Sequence, residues 1–253
     1  MQDALLERVI PCLAKMKQVK HTMQNKQLVH FLHIGKTGGS AIKLALKQSS
    51  TNSRYTFRYR PHQINLKDVP EGEKVVFFLR DPISRFISGF YSRLRQGRPK
   101  YTSPWSEAEK AAFECFHTPK QLALALSSDN KEQKINAEKA MESIRHVKHS
   151  YWRWFDNEAY LRRRQADVFF IGRQEHLNKD FEILKEKLGV TDSVQLPDND
   201  VEAHRNPPNL DKTLNTVAIE NLRCWYKDDY LFINLCKEIA KNQGIASSLA
   251  TDP

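Results

Sequence analysis

Two apolar runs, each ending in a short polar loop that opens a helix, constrain this chain more than any other feature. Leu28-Val29-His30-Phe31-Leu32-His33-Ile34 leads into Gly35-Lys36-Thr37-Gly38-Gly39-Ser40, and Val75-Val76-Phe77-Phe78-Leu79 leads into Arg80-Asp81-Pro82. The second run has the length and the β-branched and aromatic content of a strand buried on both faces of a parallel sheet. Strand, loop and helix repeated in this way imply an α/β fold, and open parallel sheets bind ligands beyond the carboxyl ends of their strands. Both loops put their basic groups at that edge.

With 253 residues the chain reads as a single domain, 1–253, with a core of full size. Forty Lys and Arg against thirty Asp and Glu give a formal charge of +10, which favours anionic partners without choosing among nucleotides, nucleic acid, acidic glycans and membrane surfaces. Cys12, Cys115, Cys224 and Cys236 lie far apart, with no spacing that suggests zinc or a disulfide framework. Reduced thiols and a cytoplasmic location are the expectation. The apolar stretch Val9 to Ala14 is short and broken by Pro11, so no membrane span or signal peptide is expected there.

Helical spacing of Leu5, Leu6, Val9, Leu13 and Met16 predicts an N-terminal helix over 1–26, and a short strand is expected from Tyr55 to Arg60. Asp81 and Pro82 form the start signal of a helix that carries Phe86, Ile87, Phe90, Tyr91 and Leu94 and stops near Gly97-Arg98-Pro99. Residues 98–165 read as a helical elaboration, beginning with a loop over 98–105 and containing the aromatic knot Tyr151-Trp152-Arg153-Trp154-Phe155. A last strand is expected over Asp167–Gly172, then a helix from Glu175 to Leu188, a Pro- and Asn-rich loop over 197–210, and helices around 211–224 and 227–242.

Lys36-Thr37-Gly38-Gly39-Ser40 offers a cation, two hydroxyls and two open backbone amides at a helix N-terminus, where unpaired N–H groups and the helix dipole both favour a phosphate. It is not a Walker A loop: position 30 is His where that pattern has glycine, and the glycine pair follows the lysine. In the second loop, Arg80 and Ser88 can hold one dianion between a guanidinium fork and a hydroxyl.

Strand, Lys-Thr-Gly-Gly-Ser, helix, then strand, Arg-Asp-Pro-x-x-Arg-Phe-x-Ser-Gly, helix resembles the PAPS-dependent sulfotransferases, and is similar in particular to the carbohydrate branch that includes the heparan sulfate 2-O-sulfotransferases. The resemblance runs from about residue 28 to 240, more loosely through Phe170-Ile171-Gly172-Arg173-Gln174-Glu175-His176-Leu177 and poorly over 98–165. It implies a P-loop-like three-layer α/β fold, a central parallel sheet flanked by helices. It also implies that Gly35, Lys36, Thr37, Gly38, Gly39 and Ser40 grip the 5'-phosphosulfate of 3'-phosphoadenosine 5'-phosphosulfate (PAPS), and that Arg80 and Ser88 grip its 3'-phosphate. His204-Arg205-Asn206 resembles a basic segment that closes over the donor, with Arg205 as its cation; a solvated loop is the competing reading.

The activity implied is sulfonate transfer to a hydroxyl, of a carbohydrate or glycan, with release of 3',5'-ADP. Lys36 would stabilise the leaving phosphate and no metal is expected, because no Asp, Glu and His cluster has ligand spacing. His62, just after the short second strand, is the candidate base, since the related enzymes use a histidine in this interval; a surface loop histidine is the alternative. His146, His149 and Glu175 are further candidates, whereas His33 reads as structural. Arg93, Arg95, Arg98 and Lys100 either receive an anionic acceptor or form a solvated basic face, and Arg162-Arg163-Arg164 reads as a solvated helix face. Tyr151, Trp152 and Trp154 can stack on a sugar but read first as core. A P-loop-like nucleotide kinase and a non-catalytic polyanion-binding module are the competing functions; no nucleic-acid partner is expected.

Overall fold

The structure, a computed structural model, describes residues 26–47, 54–190, 193–199, 201–202 and 206–251. The helix expected over 1–26 (save for Lys26), Cys12 and Arg205 lie outside the described residues.

Strands β1 (Gln27–Phe31), β2 (Tyr55–Tyr59), β3 (Lys74–Leu79) and β4 (Val168–Arg173) form one sheet in the order β2-β1-β3-β4, and every neighbouring pair is parallel. Val75, Val76, Phe77, Phe78 and Leu79 are all buried, so β3 is covered on both faces, as its unbroken apolar run requires. Successive side chains alternate. Phe77 packs on Phe155 with ring centroids 4.6 Å apart, while Phe78 turns to the opposite face beside Phe31 and Phe170.

Helices α1 (Gly39–Lys47), α2 (Pro82–Leu94) and α8 (Leu177–Leu188) follow β1, β3 and β4. Between α2 and β4 lie α3 (Glu107–Cys115), α4 (Pro119–Ala125), α5 (Lys131–Ser143), α6 (Trp152–Phe155) and α7 (Glu158–Arg163); α9 (Thr216–Trp225), α10 (Lys227–Asn242) and α11 (Ser248–Thr251) follow α8. The α2 start is as the sequence suggests: Ser84 N–H donates to the Asp81 carboxylate at 2.8 Å, with Pro82 in the first turn. The helix expected over 211–224 begins five residues later, where Asn215 supplies the cap by accepting from Ala218 N–H. The helix after β4 is preceded by a separate 3-10 turn, Gln174–His176.

Sheet, α1, α6, α8 and α10 share one apolar cluster. Helix α2 turns Phe86 and Phe90 into a second, built with Phe113, Leu122, Met141 and Leu222 from the elaboration and α9. Among the described residues no helix is long and apolar enough to cross a membrane.

Arg93, read as open to an anionic acceptor or solvated, and Arg164, read as solvated, are both buried in internal ion pairs. Arg93 is 1% exposed, and its guanidinium meets both Glu109 carboxylate oxygens at 2.7 Å while donating to the Ser103 and Pro104 carbonyls. Arg164 is 3% exposed, paired with Asp167 and donating to the Leu66, Val69 and Pro70 carbonyls. Both guanidinium groups have enough acceptors to replace water, which is the condition for burying a charge. Arg162 and Arg163 do lie at the surface.

Removing one member of a buried pair leaves the other charge unpaired, so Arg164→Met is expected to lower unfolding free energy by about 3–5 kcal/mol. Its neighbour serves as the control: Arg163→Ala, which breaks an exposed pair with Glu71, should cost about 0–1 kcal/mol in the same urea titration.

Candidate active site

At the carboxyl ends of β1 and β3 the two loops border one cavity of about 640 Å3, inside the range of roughly 300–1,000 Å3 usual for small-molecule sites. Lys36, Gly38, Gly39 and Ser40 line it from the first loop, Arg80 and Ser88 from the second, and His62 from the segment after β2. None of the described lining residues is acidic.

The first loop is bent by backbone conformations that suit its sequence. Gly38 has φ +87° and Lys36 φ +69°, the left-handed region that glycine enters freely and lysine at a cost of about 1–3 kcal/mol. Gly38 carbonyl accepts from Ala41 and Ile42 N–H groups and so starts α1. A side chain at Gly39 is excluded, because its Cβ would lie 2.6 Å from the His33 ring. Two residues expected at the cavity wall are turned away from it. Thr37 is 1% exposed and its hydroxyl donates to Ile34 carbonyl at 3.0 Å. Gly35 is buried behind the loop, where its carbonyl accepts from Arg85 Nε at 3.1 Å.

Arg80 joins the loops. Its Nη1 donates to Lys36 carbonyl at 3.3 Å and its Nε to the Ser84 hydroxyl at 2.8 Å, and Nη2 has no partner among the described residues. Burial pulls its pKa down, against the opposing pull of Glu175, Tyr151 and Asp81, and the guanidinium stays charged. The Lys36 ammonium has neither an ion-pair nor a hydrogen-bond partner among the described residues. Desolvation, then repulsion from Arg80 and Arg95, pushes its pKa down to about 7.

His62 Nδ1 lies 2.8 Å from His33 carbonyl. A carbonyl only accepts, so Nδ1 carries the proton and Nε2 keeps its lone pair. The two rings lie against each other with centroids 3.9 Å apart and planes tilted by 33°, so His33, read from the sequence as part of the strand end, is a cavity wall and the support of His62. His62 reaches solvent at the mouth, yet desolvation lowers its pKa, as do Arg145, Lys36 and Lys43, while the bond to His33 opposes them. His146 also lines the cavity and is held well below the usual histidine range, first by desolvation and then by Lys36 and Arg145. His149 and Glu175 are not brought to the wall: His149 carbonyl accepts from Arg85, and the Glu175 carboxylate accepts from Asp81 N–H and Arg173 Nε.

Arg85, the second arginine of the Arg-Asp-Pro-x-x-Arg pattern, was not singled out by sequence reasoning. It is 3% exposed and contacts Asp229, which is 1% exposed, at 3.4 Å. That spacing within the motif was the available signal. Among the described residues no group of three or more His, Cys, Asp or Glu side chains has the arrangement of a metal site.

This chemistry is that of a binding site for a small polyanion with a neutral imidazole at its rim. No curated protein matches the chain. The family model described as Sulfotransferase family matches residues 20–234, a span that includes both loops and all four strands. The chain belongs to the sulfotransferase family and is an enzyme of sulfonate transfer.

Proposed function

We propose that this enzyme takes its sulfonate from PAPS and delivers it to a hydroxyl of a carbohydrate or glycan, releasing 3',5'-ADP. The observation that carries this reading is the bond from Arg80 to Lys36 carbonyl, which holds two separately encoded anion-binding loops on one cavity. A donor with phosphate groups on both the 3' and the 5' oxygens of its ribose needs two such loops at a fixed separation. The residues fit it: open amides at Gly38 and Gly39, an uncommitted ammonium at Lys36, and an uncommitted guanidinium nitrogen with Ser88 across the cavity. The carbohydrate acceptor rests on the likeness of the two motifs to the heparan sulfate 2-O-sulfotransferases.

In the transfer, the bond from sulfur to the 5'-phosphate oxygen breaks as the acceptor oxygen bonds to sulfur, and the acceptor proton passes to His62 Nε2. Lys36 offsets the charge that grows on the leaving phosphate. His62 suits the base role because its tautomer is fixed by His33 and its depressed pKa keeps it unprotonated at neutral pH. Sulfonate transfer poses the same positioning problem as phosphoryl transfer, with less charge on the group that moves.

Calorimetric titration with 3',5'-ADP should give saturable one-to-one binding, weakened about a hundredfold by Arg80→Ala through loss of charge-assisted hydrogen bonds. Salt-steep binding to any DNA, without nucleotide preference, would instead support the polyanion-binding module. Lys36→Ala and His62→Ala should each lower kcat by about 10²–10⁴-fold in a folded protein. Wild-type turnover by His62→Ala removes it as the base.

The pH dependence of donor binding follows from Lys36. In the free site its pKa is about 7, and an adjacent phosphate anion raises it, so binding above pH 7 takes up a proton. Affinity for 3',5'-ADP should therefore fall as pH rises through 7 to 9, with proton uptake measurable from the buffer dependence of the binding enthalpy. Lys36→Met should flatten this slope.

A further inference from the structure

The aromatic knot of the sequence is not at the cavity wall, yet it touches the backbone of both sides of the site. Tyr151 is fully buried, and its hydroxyl accepts from Arg80 N–H at 2.9 Å while donating to Arg80 carbonyl at 2.6 Å. That closed pair of bonds fixes the peptide planes on either side of Arg80 and so the direction in which its side chain leaves. Three residues on, the Trp154 indole N–H donates to His62 carbonyl at 3.0 Å.

Both rings are seated on one cation. The Arg85 guanidinium lies 4.7 Å from the Tyr151 ring centroid and 5.5 Å from that of Trp154, a geometry in which the ring faces attract the charge. Asp229, its ionic partner, accepts from Tyr151 N–H at 2.8 Å and from the Ser150 hydroxyl at 2.5 Å. The remaining guanidinium nitrogens donate to Gly35 and His149 carbonyls. The segment is therefore fixed to the first loop through Arg85, to the second through Tyr151 and to the loop of the base through Trp154.

We propose that Tyr151 and Trp154 are the two arms of one positioning element, in which Tyr151 orients Arg80 for the donor and Trp154 orients His62 for the acceptor, both braced by the Arg85–Asp229 pair. This rests on the donor and base roles proposed above. It gives the two residues separable effects, because each arm makes hydrogen bonds to a different side of the cavity.

Tyr151→Phe keeps the ring on Phe232 and removes only the hydroxyl. It should weaken 3',5'-ADP binding about tenfold, because Arg80 loses both backbone bonds that set its direction, with kcat at saturating donor within about twofold of wild type. Trp154→Phe keeps an aromatic face for Arg85 and removes the N–H. It should lower kcat about tenfold and shift the acidic limb of its pH profile, with 3',5'-ADP affinity unchanged.

A second readout needs no donor. In 15N NMR spectra of the free protein, Trp154→Phe should move the His62 imidazole resonances and leave Arg80 Nε in place, and Tyr151→Phe should do the reverse. If Trp154→Phe does not fold, 3-benzothienylalanine at position 154 supplies the same shape without the donor. Variants that move both residues together, or neither, overturn the proposal. If the wild type does not bind 3',5'-ADP but the resonances separate as stated, the donor assignment fails and the positioning element stands.

Discussion

The site depends on how the fold distributes carboxylates among its buried arginines. Arg85, Arg93 and Arg164 each sit below 5% exposure and each has an acid beside it: Asp229, Glu109 and Asp167. Lys36 and Arg80, at the carboxyl edge of the sheet, have no ion pair among the described residues: Arg80 donates to a hydroxyl and a carbonyl, with Glu175 and Asp81 acting on it only from a distance, and the Lys36 ammonium has no hydrogen-bond partner. Burying a charge without a counter-ion is costly, and the cost is recovered only when an anion arrives. The ion-paired arginines brace the fold; the two cations without an ion pair face the cavity.

Holding that pair in place requires the frame to oppose two repulsions, the mutual one between Lys36 and Arg80 and the left-handed backbone at Lys36. The bond from Arg80 to Lys36 carbonyl ties the strained residue to the cation that repels its side chain. Behind it, Arg85 grips Gly35 carbonyl, so the loop is fixed on both sides of Lys36. A loop fixed this way does not collapse onto its own cations when empty, and it presents preorganised donors to a ligand.

The strands, the first loop and the Asp81 cap were legible in the sequence because each is a local signal: an apolar run, a glycine pair, an N-cap followed by proline. The elaboration was legible as helix but its chemistry was not. Arg93, Arg164 and Arg85 look like surface charges from their neighbours in the chain; Asp229 is 144 residues from Arg85, and although Asp167 is close to Arg164 in sequence, the Leu66, Val69 and Pro70 carbonyls that complete its burial are not. Tyr151 and Trp154 were rightly read as core, yet their polar tips do more than satisfy themselves, since Arg80 and His62 are far from them in sequence and adjacent in space. His33 was placed inside a strand that in fact ends at Phe31, and those two residues of difference move its ring to the cavity.

The choice of a histidine at the rim follows from the same charge distribution. A carboxylate at position 62 would face Lys36, Arg145 and Lys43, the cations that lower the pKa of His62, and would pair with them in the empty enzyme. It would then be a weak base and a competitor of the donor. An imidazole in that field is pushed the other way, toward its neutral form, so the cations that attract the anionic donor also keep the proton acceptor free. His33 completes the arrangement: its carbonyl accepts a hydrogen bond from the one N–H the neutral ring carries. In a cavity whose described lining has no acid, an imidazole is the side chain that the surrounding cations hold neutral, with its lone pair open to a proton rather than tied up in an ion pair.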